Sequence, residues 1–348
     1  MTAFSESFST QQLLPPWLSK GAKIWMYLIG VDRGCIQSYL DAYFNNPAPD
    51  QAPYRYEAME GETFGILQVG LHSNFSSGHK HSQGWDTLRH KQVSWIFPVV
   101  RYRISPGNLL VERQDVWIMP FAFDDTSYIM FSSREIWGMM IDHASIYVAE
   151  DESNRLRHVD VAMEGVKKFS SRSKNHLIGC IHVAMAKEGQ PDDMGSLLHK
   201  YPDMADFTGV LAASAVLEGQ ADTGRFTEVN TLKQFRDVFD MRFAAYRAII
   251  ASQTSHTDVK NVQFYDGSNV TIDFMWSDST AEVLEYLFGL KKPKCTEAQI
   301  GHPTGGPDID ENGIDWRMPS VRVPVKLAVS FTSDIRYDVF KTLHTYGA

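Results

Sequence analysis

The sequence predicts an α+β protein in which antiparallel β-strands predominate and a few helices lie at the periphery. Two observations predict this class. From about residue 62 to residue 185 the chain is a succession of short runs rich in Val, Ile, Phe, Tyr and Trp, with turn residues between them. Segments with helical spacing of apolar residues are few and isolated, so strands do not alternate with helices as a parallel α/β sheet would require.

The expected strands begin with Lys23 to Val31 and end with a segment in which Val325, Leu327, Val329 and Phe331 alternate with polar residues. Between them, the β-rich runs are SWIFPVVRYRI, VERQDVWIMPFAF, SYIMFSS, ASIYVAE and HLIGCIHVAM. The segment VQFYDGSNVTIDFMW predicts a hairpin that turns at Asp266 to Asn269.

Three segments predict helices. Asp32 is placed to cap a short helix that presents Ile36, Tyr39 and Leu40 on one face. The clearest helical pattern is LKQFRDVFDMRFAAYRAIIAS, in which Leu232, Phe235, Val238 and Phe239 recur at helical spacing. The third helix is expected over Thr280 to Leu290, with Asp278 or Ser279 as its cap.

Composition excludes several classes of protein. The net charge of -9 and the absence of a Lys/Arg run argue against nucleic acid as a partner. The three cysteines form no CxxC pair, which argues against a disulfide framework or a thiolate zinc site. Without a leader pattern or an apolar run of about 18 residues, the sequence predicts a cytoplasmic protein with no membrane partner. We expect a flexible polar arm over residues 1–15 and one domain over residues 16–348.

Four segments in order resemble the acetoacetate decarboxylase-like superfamily: KGAKIWMYLIGVDRGCIQSYLDAYFN, GWDTLRHKQVSWIFPVV, REIWG at 134–138, and LKQFRDVFDMRFAAYRAI at 232–249. The resemblance extends from about Pro15 to the C-terminus. It implies a curved antiparallel sheet that approaches a closed β-cone, with helices outside and a pocket inside. It also implies a small-molecule substrate or ligand, no cofactor, and assembly as a homo-oligomer.

The resemblance breaks where the family's decarboxylases carry their nucleophile. In those enzymes Arg-Glu is followed by an aromatic residue, a proline and two adjacent lysines, one of which forms a Schiff base with the substrate ketone. Here the same stretch reads REIWGMMID, so the lysine pair falls on Ile141 and Asp142 and the proline on Met140. A carboxylate beside an amine favours the ammonium form, which is not nucleophilic. The sequence therefore predicts that the protein works without a lysine Schiff base.

Other polar positions of the family also differ. The family's acidic residue falls on Leu88, and its first-strand arginine falls near Ala22 or Lys23. Arg134 and Glu135 persist, either as catalytic groups or as an ion pair that holds the strand, and we favour the ion pair. Lys167, Lys168 and Lys174 could supply a displaced lysine, although a solvated basic turn explains them more simply.

The sequence supports two hypotheses of function. The first is an enzyme with lyase, cyclase or isomerase chemistry on a hydrophobic oxo compound or oxo acid. Its candidate catalytic residues are Arg134, Glu135 and His143, and its candidate substrate-binding residues are Trp137, Met139, Met140, Ile141, Leu88 and Trp117. The second is a non-catalytic member of the superfamily that binds a small molecule or acts as a scaffold.

Two motifs raise the question of a metal. His72, His79, His81 and His90 lie within twenty residues and include a His-x-His, but a third ligand at a convincing spacing is missing, so we favour a solvated loop and assign no metal. The residues from Asp308 to Gly313 match the first half of an EF-hand loop. Position twelve of that loop is Pro319 where calcium requires a bidentate Glu, so an acidic turn is the better interpretation.

Overall fold

The structure is a computed structural model that describes residues 13–45, 53–61, 63–80, 86–152, 155–186, 191–200, 228–236, 244–293, 301–303 and 305–346. Its strands are β1 (Trp17–Gly30), β2 (Tyr54–Ala58), β3 (Phe64–Ser77), β4 (Leu88–Ile104), β5 (Leu110–Asp124), β6 (Ile141–His143), β7 (Ser145–Glu150), β8 (Leu156–Gly165), β9 (His176–Met185), β10 (Glu228–Arg236), β11 (Ala244–Asp266), β12 (Val270–Met275), β13 (Ser320–Val323) and β14 (Val325–Thr345). Its α-helices are α1 (Arg33–Leu40), α2 (Ser127–Ser132), α3 (Met194–Lys200) and α4 (Ala281–Phe288), and short π-helical turns follow α1 and α2.

The larger sheet closes on itself. Its strands pair in the order β2-β4-β3-β1-β14-β11-β10-β5-β6, and β5 also pairs with β4, which completes a ring of seven strands. Most pairs are antiparallel; β10 and β6 each run parallel to β5. Closure of the ring leaves few unpaired strand edges. The predicted curved, mainly antiparallel architecture is thus confirmed.

A second sheet, ordered β13-β12-β9-β8-β7, packs on the first. The main core lies between the two sheets and contains Trp25, Tyr27 and Ile29 of β1 together with Val161 of β8 and Ile181 of β9. The intervening residues of β1, such as Met26 and Leu28, belong to a different apolar cluster on the other face of the strand. This alternation follows from the two-residue period of a strand.

Helix α1 matches its prediction. The Asp32 carboxylate accepts a hydrogen bond from the Cys35 backbone N–H at 3.0 Å, and Ile36, Tyr39 and Leu40 are buried. Helix α4 also forms within its predicted range, but the predicted cap is wrong. The N-cap residue is Thr280, because the Asp278 carboxylate instead accepts from the Phe169 N–H and the Ser279 hydroxyl donates to a carbonyl of another loop.

The helix predicted over residues 232–252 is wrong. Residues up to Arg236 continue β10, and the chain from Ala244 onward is β11, which pairs with β10 and with β14. Residues 237–243 lie outside the described residues. Leu232 is buried whereas Phe235 is 45% exposed, so the helically spaced apolar residues do not share one buried face.

Two further local predictions need correction. The run SYIMFSS forms α2 instead of a strand, with Thr126 as its N-cap residue. The turn at Asp266 to Asn269 forms as predicted, and the Asp266 carboxylate accepts from the Ser268 N–H at 2.9 Å. The flanking strands do not pair as a hairpin, however, because β11 belongs to the large sheet and β12 to the second sheet.

A buried polar network fixes the position of β10. The Arg101 guanidinium donates to Asn230 Oδ1 at 2.8 Å and also pairs with Glu228, while the Tyr56 hydroxyl donates to the same Asn230 oxygen at 2.8 Å. Asn230 is fully buried, so losing one of these partners would leave a polar group without its hydrogen bond.

Within the described residues, none of the helices is long and apolar enough to cross a membrane.

Candidate functional site

A cleft of about 550 Å³ opens between the segment 134–142 and the facing strands β10 and β11. On one side its wall is formed by Arg134 and residues 138–142. On the other side the wall is formed by Leu232, Gln234, Phe235, Arg236, Ala244 and Arg247. The size lies within the range usual for small-molecule sites.

Gly138 shapes the first wall. It ends the π-helical turn after α2 with φ +68°, a conformation that glycine adopts at no steric cost, and its N–H donates to the Ser133 carbonyl. A Cβ at this position would lie 2.4 Å from Lys233 Cβ, so only glycine allows the turn to approach β10 this closely. The Thr231 hydroxyl also donates to the Trp137 carbonyl and ties the two walls together.

The strand β6 presents two different side chains at the positions where the family resemblance places its lysine pair. Ile141 is 1% exposed and packs against Met119 and Ala122. The Asp142 side chain is 59% exposed, and its Oδ1 lies 3.4 Å from Arg134 Nη1 at the cleft. Strand β6 thus presents one packed aliphatic side chain and one solvent-accessible carboxylate at the cleft.

The cleft is cationic although the whole protein is acidic. Arg134, Arg236 and Arg247 line it together with one carboxylate, that of Asp142. The Arg247 guanidinium donates to the Tyr43 carbonyl and lies 5.4 Å from the centroid of the Tyr346 ring. Burial lowers the pKa of Arg247, but an arginine remains charged at any physiological pH. Three guanidinium groups around one cleft favour an anionic ligand.

A smaller cavity of about 70 Å³ adjoins the cleft at Asp142. It lies between the two sheets and is lined mainly by apolar side chains, among them Phe121, Met163 and Phe274. Cys180 also lines it, and burial raises the pKa of that thiol to about 12, so the thiol is protonated at neutral pH. The arrangement can accommodate the apolar part of a ligand next to a charged rim.

The amine of Lys233 comes near the cleft but is not part of its wall. Lys233 Nζ lies 5.6 Å from the centroid of the Phe235 ring and 5.9 Å from that of Tyr246. Burial lowers the pKa of the Lys233 amine, whereas the nearby Glu135 carboxylate raises it. Lys167 is engaged elsewhere, 2.6 Å from the Asp315 carboxylate. Among the residues that the structure describes, those lining the cleft include no lysine.

Comparison with known proteins gives matches among solved structures. An acetoacetate decarboxylase-like enzyme from Sphingomonas wittichii RW1 matches with a TM-score of 0.51 and 10% identity, over 99% of each chain. The enduracididine biosynthesis enzyme MppR in complex with pyruvate matches with a TM-score of 0.50 and 11% identity, over 98% of this chain and 95% of that one. The acetoacetate decarboxylase of Legionella pneumophila reaches a TM-score of 0.48 at 12% identity over the full length of both chains.

The chain has the acetoacetate decarboxylase-like fold. No protein-family model matches the sequence, and no curated protein matches it. Identities of 10–11% establish the fold alone, so the chemistry has to be argued from the residues of the site.

Within this fold, four of the nine candidate site residues line the cleft: Arg134, Met139, Met140 and Ile141. Glu135 is half-buried near Lys233, and His143 is exposed at the end of β6. Arg134 pairs with Asp142, whose Oδ1 lies 3.4 Å from Arg134 Nη1.

The remaining three candidates lie in apolar clusters. Trp137 is 1% exposed and packs with Trp17 and Phe75, a cluster against which Leu88 also lies. Trp117 is 6% exposed and belongs to the apolar cluster that contains Met26 and Leu28. These positions are typical of structural residues.

Sequence reasoning missed the second wall of the cleft. Gln234, Arg236 and Arg247 lie in the segment interpreted as a helix, so they could not be assigned to a strand facing residues 138–142. The run AYRAIIASQTS was the available signal, because its β-branched residues suit a strand.

The prediction of a solvated loop is wrong for two of the four histidines, because His72 lies on β3, His90 lies on β4 and both side chains are buried. The rings of His72 and His90 stack with centroids 4.4 Å apart, and both are buried. His72 Nδ1 lies 2.9 Å from Ser19 Oγ, and His90 Nδ1 lies 2.8 Å from Asp124 Oδ2. Burial lowers the pKa of His72 and raises the pKa of Asp124. His81 lies outside the described residues.

The half EF-hand motif forms a turn. Asp310 Oδ1 accepts from the backbone N–H groups of Asn312 and Ile314, each at 2.9 Å, and Oδ2 accepts from the indole N–H of Trp316 at 3.2 Å. Both carboxylate oxygens are therefore used within the turn itself, in agreement with the interpretation as an acidic turn.

Proposed function

We propose that this protein is an enzyme that binds a hydrophobic oxo acid in the cleft and acts on it without a lysine Schiff base. One observation carries the proposal. Arg134, Asp142 and an apolar surface lie together at the place where the family resemblance puts the lysine pair. In this arrangement the guanidinium groups bind the substrate carboxylate, and Met139, Met140 and Phe235 contact its apolar part.

The ligand class is supported by charge and by analogy. Three arginines against one carboxylate suit a monoanion with an additional carbonyl oxygen. MppR, which shares the fold, has been described in complex with pyruvate, itself an oxo acid. Met139 and Met140 favour oxo acids with longer apolar chains than that of pyruvate, because methionine adapts to irregular apolar shapes.

The reaction class follows from which groups in the cleft can carry a proton or stabilise an anion. A guanidinium 3.4 Å from a carboxylate can hold an oxo acid so that its enolate oxygen faces a fixed positive charge. We assign proton transfer at the carbon beside the carbonyl to Asp142, because its carboxylate lines the cleft. Glu135 and His143, the candidates named from the sequence, are the alternatives to be tested beside it.

Binding is tested by calorimetry with pyruvate and phenylpyruvate. Removing a charged hydrogen bond costs about 1.5–3 kcal/mol, so Arg134→Gln should weaken binding roughly 10- to 150-fold. Arg336→Gln is the matched control, because Arg336 is 54% exposed and pairs with Asp338, whereas Arg134 is 55% exposed and pairs with Asp142. Equal affinities for the two variants would refute this role of Arg134.

Catalysis is tested by deuterium exchange at the carbon next to the carbonyl, followed by NMR in D2O. The wild-type protein should accelerate exchange, and Asp142→Asn should abolish the acceleration while retaining binding, with Asp338→Asn as control. Loss in Glu135→Gln or His143→Ala, but not in Asp142→Asn, would move proton transfer to that residue. Tight binding without any exchange, decarboxylation or rearrangement would favour the alternative, a non-catalytic small-molecule-binding protein.

A further inference from the structure

A group of histidine and aspartate side chains lies on the second sheet, away from the cleft. Asp160 of β8 and His182 of β9 are directly opposite each other in the antiparallel ladder. Their neighbours Val159, Ile181 and Val183 belong to the main core, so the two polar side chains project from the other face of the sheet. This face is covered by the irregular chain that includes His302 and Trp316.

The Asp160–His182 pair leaves one ring nitrogen available. His182 Nδ1 lies 2.6 Å from Asp160 Oδ1, and since a carboxylate only accepts hydrogen bonds, the proton of a neutral ring is on Nδ1. His182 Nε2 then carries a lone pair. This atom is buried and has no hydrogen-bond partner among the described residues, in a side chain that is 2% exposed. A buried lone pair without a donor is costly unless a cation or a proton occupies it.

His302 brings a second imidazole to the same place. Its ring centroid lies 5.1 Å from that of His182 and 5.0 Å from that of Trp316. Asp160, His182 and His302 each place a ligand atom within 4.8 Å of the others. At the rim, His158 Nε2 lies 3.6 Å from Asp160 Oδ2, and the His158 side chain is 44% exposed.

We propose that His182 Nε2 and a ring nitrogen of His302 bind a divalent transition-metal ion, with Zn²⁺ the best match, and that the ion fastens the chain around His302 and Trp316 to the second sheet. Asp160 orients the His182 ring for this role through Nδ1. Neutral imidazole is the commonest metal ligand among side chains, and water completes the tetrahedron of Zn²⁺ where protein ligands leave positions open.

The required rearrangement is small. Donor atoms around a tetrahedral Zn²⁺ with bonds of about 2.0–2.1 Å are roughly 3.4 Å apart, so donor atoms up to 4.8 Å apart must close by up to about 1.4 Å. His302 lies outside the strands, where its backbone can follow such a movement, whereas Asp160 and His182 are fixed by their ladder. The hydrogen bond from His182 Nδ1 to Asp160 is also the contact that orients a metal-binding histidine through its second nitrogen.

The test uses full-length protein without an affinity tag, stripped with a chelator and dialysed. Co²⁺ is added and followed by its visible absorption, Zn²⁺ is added in competition, and the bound metal is counted by plasma mass spectrometry. We expect one ion per chain, and a higher melting temperature in the presence of Zn²⁺ than after chelation.

Variants separate a metal site from a buried polar pair. His182→Ala and His302→Ala should weaken binding at least 10- to 100-fold, the loss that even an outer partner of a metal ligand causes. His256→Ala is the matched control, because His256 is a partly buried histidine that is hydrogen-bonded to Ser333 on the other sheet. His302 is only partly buried, so His302→Ala should remain folded even if His182→Ala does not.

Two results would overturn the proposal. One is less than stoichiometric binding of Co²⁺ and Zn²⁺ by the wild-type protein. The other is His302→Ala protein that remains folded by circular dichroism and binds Zn²⁺ as tightly as His256→Ala. Either would show that the Asp160–His182 pair serves packing alone.

Discussion

Replacing Gly138 by alanine should separate the two walls of the cleft. The new Cβ would lie 2.4 Å from Lys233 Cβ, 2.5 Å from its Cα and 2.7 Å from its backbone nitrogen. Carbon atoms in contact are ordinarily about 3.5–4.0 Å apart, so the turn and β10 must move apart by about 1 Å. The obstacle includes backbone, which a change of side-chain rotamer cannot relieve.

Two costs add in this variant. A residue other than glycine at φ +68° costs about 1–2 kcal/mol, and overpacking at a tight contact costs typically about 1–3 kcal/mol. The expected loss in the free energy of unfolding is therefore about 2–5 kcal/mol. Gly21→Ala is the matched control, since Gly21 has φ +61° and a methyl group at that position would have no atom within 4 Å. It should lose only the first of these contributions.

Urea denaturation of both variants gives the difference in stability, and calorimetry with phenylpyruvate gives the effect on the cleft. Gly138→Ala should be the less stable by about 1–3 kcal/mol and should bind the oxo acid more weakly than Gly21→Ala. Equal stability of the two variants would show that the turn and β10 are not in close contact.

The remaining predictions concern stability. Burial lowers the pKa of His256 from 6.5 to about 4. As the pH falls, the unfolded chain therefore binds a proton at His256 before the folded chain does. The contribution of His256 to the free energy of unfolding is complete above pH 6.5 and is lost as the pH falls towards 4. This amounts to about 3 kcal/mol at 1.36 kcal/mol per pKa unit, and urea titrations of His256→Gln should show a flatter pH dependence, whereas an unchanged slope would contradict the assignment. Asp32→Ala should cost about 1 kcal/mol by removing the cap of α1, as measured by denaturation, and a loss below 0.3 kcal/mol would argue against the cap. Gly179→Ala should be strongly destabilising, because its Cβ would lie 2.3 Å from a ring carbon of the fully buried Trp316, and a wild-type melting temperature would contradict that packing.

Local patterns predicted local structure well. Asp32 and the apolar residues of α1 act within one helix, and the turn at Asp266 depends on a hydrogen bond two residues away. Both are decided by neighbours in the sequence, so both could be predicted. The cap of α4 could not, because Asp278 is recruited by Phe169 from a distant loop.

The failed helix shows where local reasoning ends. Leu232 and Phe235 have helical spacing, but β10 is held by Asn230 and by pairing of Val229 with Trp117, more than a hundred positions earlier. Tertiary pairing of this kind overrides intrinsic preference. Because this segment was interpreted as a helix, Arg236 and Arg247 could not be predicted as cleft residues. The sequence therefore predicted the first wall of the cleft but not the second.

The resemblance to the superfamily predicted the fold because four segments occur in the same order, even though no single segment is specific. It predicted the fold, and it directed attention to Ile141 and Asp142. Which of the two side chains is buried and which is exposed depends on the pairing of β6 with β5, which the sequence alone does not reveal.

The most direct test of a chemistry without a lysine nucleophile is borohydride trapping. The protein is incubated with pyruvate, acetoacetate or phenylpyruvate and sodium borohydride, and its intact mass is measured, with Lys233→Arg in parallel. We predict no covalent adduct above the level found with borohydride and no oxo acid. A stoichiometric adduct that disappears in Lys233→Arg would contradict the account and identify Lys233 as the nucleophile.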